Sequence, residues 1–169
     1  MASIISRPMT PDSFAGWTET PVGSGFDRVD EVVTQPTAPS DTSSDKVDAS
    51  GTFQYQTHTL QDVSLGVGEN IIGYKIWIYG STTGTLTVRG YLGTRADMLV
   101  IPAGSSAGWY SATEMVSLTQ AAYNGYTGGF MSGITGSGTA TVYASYIEVL
   151  TDAPAPGAGG IKLPLMQVG

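Results

Sequence analysis

The residues able to do chemistry are few. Cysteine is absent, which removes thiolate metal sites, cysteine nucleophiles and disulfides together. A single histidine, His58, is the only imidazole available as a general base, so a Ser-His-Asp triad would have to use it. It falls in the middle of a Thr/Gln-rich run, and no Gly-x-Ser-x-Gly nucleophile sequence occurs anywhere. The reading is a surface histidine on a strand. Zinc, which needs several His or Cys ligands, is disfavoured on the same ground. Carboxylate pairs for glycoside hydrolysis fare no better. Asp30 and Glu31 are adjacent, so in a strand they face opposite sides. Glu114 and Glu148 each stand alone in apolar sequence.

Calcium asks only for oxygen ligands, and Asp41, Asp45 and Asp48 cluster in one loop downstream of Asp27, Asp30 and Glu31. Their spacing is not that of an EF-hand. A solvated Asp-Ser-Thr loop, where Asp caps turns, is the stronger reading. These three are therefore weak calcium candidates, and no other cofactor is expected. The run Gly133-Ile134-Thr135-Gly136-Ser137-Gly138 lacks the Gly-Lys-Ser/Thr of a phosphate loop and reads as a hairpin turn. Aromatic residues leave one ambiguity open. Trp17, Trp77, Trp109 and some of the nine tyrosines suit a sugar-stacking platform, but with three Trp and four Phe in the whole chain most of the Trp are expected in a sandwich core or a subunit interface.

The elements that would position these residues are strands. The chain has 169 residues, 23 of them Gly, and only 12% are charged, about half the usual share. Frequent Ser and Thr complete a profile of short strands and tight turns. Ile71 to Tyr79 is the clearest strand, with Tyr74, Ile76 and Ile78 on one face and Lys75, Trp77 and Tyr79 on the other. Thr85 to Gly93 sets Leu86, Val88 and Leu92 against Thr87, Arg89 and Tyr91, and the two runs read as a hairpin. Further strands are expected at 14–18, 26–33, 52–60, 97–101, 108–110, 126–134 and 138–150. Helix-like composition is confined to 113–123, which predicts at most one short helix starting near Thr119.

Pro8 and Pro11 mark residues 1–11 as an N-terminal arm. Residues 12–152 form the β-domain. Residues 153–169 combine a Pro/Gly linker with an apolar tail. With about eight to ten strands and no internal repeat, the expected fold is all-β, a jelly-roll-like antiparallel β-sandwich flanked by flexible arms. Net charge is −7, and nine of the 14 acids lie between Asp12 and Asp62. Seven scattered basic residues do not make a nucleic-acid surface. No apolar run approaches a bilayer span, and residues 1–7 do not read as a signal peptide.

Three stretches carry a resemblance. They are Asp12-Ser13-Phe14-Ala15-Gly16-Trp17-Thr18 with Val29-Asp30-Glu31; Ile72-Gly73-Tyr74-Lys75-Ile76-Trp77-Ile78; and Gly108-Trp109-Tyr110-Ser111-Ala112 with Leu118 and Tyr143-Ala144-Ser145-Tyr146-Ile147-Glu148-Val149. In order and texture, about residues 12 to 150 resemble a jelly-roll domain of structural proteins of tailed bacteriophages. The resemblance implies a non-enzymatic virion protein, either an accessory or decoration protein on the capsid or a minor tail or fibre component. It would be assembled in the bacterial cytoplasm as a homo-oligomer with major capsid or tail proteins as partners. It transfers no catalytic residues. The apolar tail residues Ile161, Leu163, Leu165, Met166 and Val168 would then be anchoring contacts, the alternative being a disordered terminus. A carbohydrate-binding module contacting glycans is the second expectation.

Overall fold

The computed structural model describes residues 2–15, 17–20, 37–39, 46–52, 54–133 and 135–152. Among the described residues, eleven strands and one short helix follow one another as β1 (Ala2–Ser6), β2 (Pro8–Ala15), β3 (Thr18–Thr20), β4 (Lys46–Ala49), β5 (Tyr55–Leu60), β6 (Ile71–Thr82), β7 (Val88–Leu92), β8 (Arg95–Ile101), β9 (Gly108–Leu118), α1 (Gln120–Asn124), β10 (Thr127–Ser132) and β11 (Ala140–Thr151). A six-stranded antiparallel sheet runs β3-β4-β11-β6-β9, with β1 also paired to β11, and a five-stranded sheet runs β2-β5-β10-β7-β8.

The last eight strands form two Greek keys. They alternate between the sheets in pairs, giving β4-β11-β6-β9 in one layer and β5-β10-β7-β8 in the other. That order is a jelly roll. Period-two patterning dictates which side of each strand is buried. Ile76, Ile78, Val142, Ile147 and Val149 from one sheet meet Val88, Leu92, Leu99, Ile101 and Phe130 from the other, with Leu86 between them. Trp17 joins this core and packs edge-on against Phe130, ring centroids 4.9 Å apart.

β6 and β7 are not a hairpin. β6 pairs with β11 and β9, whereas β7 pairs with β10 and β8 in the opposite sheet. The 133–138 run is likewise no hairpin turn, because β10 and β11 also lie in different sheets. Instead the two crossovers pair with each other. Thr83 N donates to Thr139 O and Thr85 N to Ser137 O, both at 2.8 Å. The threonine hydroxyls reinforce the pairing: Thr83 Oγ1 accepts from Thr139 N at 2.8 Å and Thr85 Oγ1 from Ser137 N at 3.0 Å. The approach is close enough to require glycine. Gly138 has φ +128°, and a Cβ there would lie 2.1 Å from the Thr83 carbonyl oxygen.

Of the expected arm at 1–11, residues 2–11 are not free. β1 adds to β11 in register from Ala2↔Thr151 to Ser6↔Ile147, and β2 adds to the outer edge of β5. Pro8 and Pro11 fit there because an edge strand has one side on which no ladder donor is needed. The Asp-Ser-Thr loop expected around Asp41, Asp45 and Asp48 gives way to β4, which carries Asp48. Strand β9 continues to Leu118, and the helix is confined to the single stretch Gln120–Asn124, N-capped by Thr119, whose hydroxyl accepts from Ala122 N at 3.1 Å. The strand expected at 26–33 and the 153–169 tail lie outside the described residues.

Gly138→Ala should cost at least about 3 kcal/mol in urea unfolding, since backbone strain and a displaced crossover add. Gly104→Ala is the control. Its φ is +69° with open space around the new methyl, so about 1 kcal/mol of left-handed strain is expected. Equal costs would contradict the close crossover pairing.

Candidate functional site

His58 is the first residue to place, because all acid–base chemistry would depend on it. It is not at the surface. The β5 register turns Gln56 and His58 inward, and both are fully buried. The imidazole leans on Phe130 at 5.9 Å, and neither ring nitrogen has a protein partner among the described residues. Burial pushes its pKa down to about 4. A neutral ring sealed between two sheets has no route to a substrate. The sequence misled here because both faces of β5 are polar, so alternation could not say which one enters the core.

The two isolated carboxylates are not a pair either. Glu114 lies opposite Tyr74 and accepts from its hydroxyl at 3.3 Å, on the core side of the sheet. Glu148 lies opposite Lys75 on the other side and accepts from Trp77 Nε1 at 3.0 Å. Of the calcium candidates, Asp48 sits on β4 and accepts from the Thr141 hydroxyl. Asp41 and Asp45 lie outside the described residues, and no group of three His, Cys, Asp or Glu able to hold a metal is found among the described ones.

The tryptophans separate. Trp17 is core, only 5% exposed. Trp77 and Trp109 are half-buried on the outer face of the six-stranded sheet. The β6 alternation sends Lys75, Trp77 and Tyr79 to this face, and in-register pairing brings Tyr146 beside Trp77 and Trp109 beside Tyr79. A bulge at Tyr143 lets a fifth ring join. Trp77 stacks on Tyr146 at 6.0 Å, and Lys75 Nζ lies 3.8 Å from the Trp77 ring centroid. The other contacts are steep: Trp77–Trp109 at 90°, Tyr79–Trp109 at 73°, Trp109–Tyr146 at 70° and Tyr79–Tyr143 at 66°. Trp109 Nε1 donates to Thr37 O at 2.8 Å. Rings standing edge-on to one another offer few open flat faces for a sugar. They make a ridged apolar surface of the kind protein interfaces use.

No protein-family model, curated protein or solved structure matches this chain.

The opposite sheet holds a site the sequence reading did not name. On its outer face Tyr55 and Tyr91 flank β10, with Met131 opposite both Tyr55 and Arg89 and with Gly129 opposite both Thr57 and Tyr91. Tyr55, Thr57, Tyr91, Phe130 and Met131 line a concavity of about 310 Å³. Alternation had put Tyr91 on an outer face, but only the sheet order brings it near Tyr55. The apolar tail residues Ile161, Leu163, Leu165, Met166 and Val168 lie outside the described residues.

His58 makes stability pH-dependent with a definite sign. Its folded pKa of about 4 lies below the ordinary 6.5. Between these values the unfolded chain binds the proton and the fold does not, so stability falls as pH drops through this window and levels off below it. The full loss is on the order of 3 kcal/mol. In urea titrations at a series of pH values, His58→Leu should flatten this part of the profile relative to the parent. Parallel profiles would show that the ring is solvated.

Proposed function

We propose that the protein is a non-catalytic virion component of a tailed phage, an accessory or decoration protein on the capsid or a minor tail component, which assembles as a homo-oligomer. The observation that carries this reading is the aromatic ridge on the outer face of a jelly roll, in which half-buried Trp77, Tyr79, Trp109 and Tyr143 pack around the buried Tyr146. The jelly roll is an architecture that viral capsid and lectin domains share. The acid–base groups support a non-catalytic role, with His58 in the core and Glu114 and Glu148 on opposite sides of one sheet. In this reading the ridge is covered by a second copy, and the low surface charge limits desolvation cost.

A glycan-binding module is the second reading. One observation favours it: the concavity between Tyr55 and Tyr91 on the sheet opposite the ridge.

Light scattering of the purified protein tests the first reading. A defined oligomer is expected, and Trp77→Ser with Trp109→Ser should convert it to a folded monomer. A monomer at every concentration, in parent and variant alike, would overturn the assembly role assigned to the ridge.

A further inference from the structure

The concavity on the five-stranded sheet lies across β10, between Tyr55 and Thr57 of β5 and Tyr91 of β7. On β10, Gly129 stands in register with Thr57 and Tyr91 and has no side chain. Its φ is +155°, and a Cβ would lie 2.0 Å from the backbone carbonyl oxygen of Gln56, so β10 runs close against β5 there. The dent is lined by Tyr55, Thr57, Tyr91, Met131 and Phe130. Tyr55 is 42% exposed, one of few large apolar side chains to remain so among the described residues.

The chemistry of this lining selects its ligand. Two tyrosines supply ring faces whose negative quadrupole attracts the polarised C–H groups on one face of a pyranose. Their phenolic hydroxyls and that of Thr57 can exchange hydrogen bonds with sugar hydroxyls at the rim. The dent is open and shallow, which suits one ring of a longer chain rather than an acyl tail needing enclosure. At about 310 Å³ it sits at the small end of ligand sites. No acidic or basic side chain lines it, and the chain carries a net charge of −7, which disfavours uronates and phosphorylated sugars.

We infer that this concavity is a subsite for a neutral hexopyranose unit of an oligosaccharide, stacked between Tyr55 and Tyr91. The inference rests on the second reading above and is independent of the assembly role of the ridge. With the ridge on one sheet and the sugar site on the other, an assembled particle could cover the first face and present the second.

The test is an NMR titration of the full chain with maltohexaose, cellohexaose and mannohexaose, following backbone amides. At least one should bind with a Kd on the order of 1 mM, shifting the amides of Tyr55, Thr57, Tyr91 and Gly129. Tyr55→Ala and Tyr91→Ala should each weaken binding about ten-fold, as loss of one stacked ring predicts. Both variants should keep the parent's melting temperature and solution mass. Binding that shifts only amides near Trp77 and Trp109, or that survives both substitutions, overturns this site while leaving the glycan-binding reading intact. No binding to any of the three sugars overturns both, and leaves the ridge's role untouched.

Discussion

Two crossovers set the geometry of this protein. The strand that leaves the six-stranded sheet after Thr82 and the one that returns to it before Ala140 pass each other at backbone hydrogen-bond distance. Because these crossings are paired, β6 must lie beside β11 in one layer and β7 beside β10 in the other. The core, the two outer faces and the depth of each aromatic then follow from strand alternation alone. Threonine hydroxyls at 83 and 85 and glycines at 136 and 138 are what allow the backbones to meet. The composition that looked like generic turn chemistry is thus the device that separates the sheets.

Alternation carried most of the fold. The inward set of β6 and β7 is legible in the sequence because Tyr74, Ile76 and Ile78, and Leu86, Val88 and Leu92, contrast with their neighbours. The short helix starting near Thr119 was legible in the composition of 113–123, and the structure shows Thr119 capping it. What sequence could not supply was the sheet each strand joins, since a crossover and a hairpin here use similar short Gly/Ser/Thr loops. That is why β6 and β7 read as partners. His58 and Gln56 failed for a different reason. Their strand has no apolar face, so the core side was set by what packed around it. The N-terminal strands were hidden by prolines that only an edge tolerates.

The two outer faces have different physical characters. On the six-stranded sheet, five aromatic rings brace one another, edge-on except where Trp77 stacks on Tyr146, and indole N–H groups are tied to Glu148 and Thr37. Side chains held this firmly lose little entropy when a partner covers them, which favours association. On the five-stranded sheet, two tyrosines stand apart across a backbone floor. From sequence, Trp77 and Trp109 were left open between core, interface and sugar platform, although strand alternation set Trp77 on the face opposite Ile76 and Ile78. The Tyr55–Gly129–Tyr91 arrangement could not, because it spans three strands distant in the chain.

The central claim is that the aromatic ridge is covered by a second copy of the protein. Acrylamide quenching of tryptophan emission across a dilution series tests it most directly. Trp17 is sealed in the core at every concentration, so the quenchable signal comes from Trp77 and Trp109. The account predicts strong protection when concentrated and rising quenching as the oligomer dissociates on dilution. Quenching that is high and independent of concentration would contradict it.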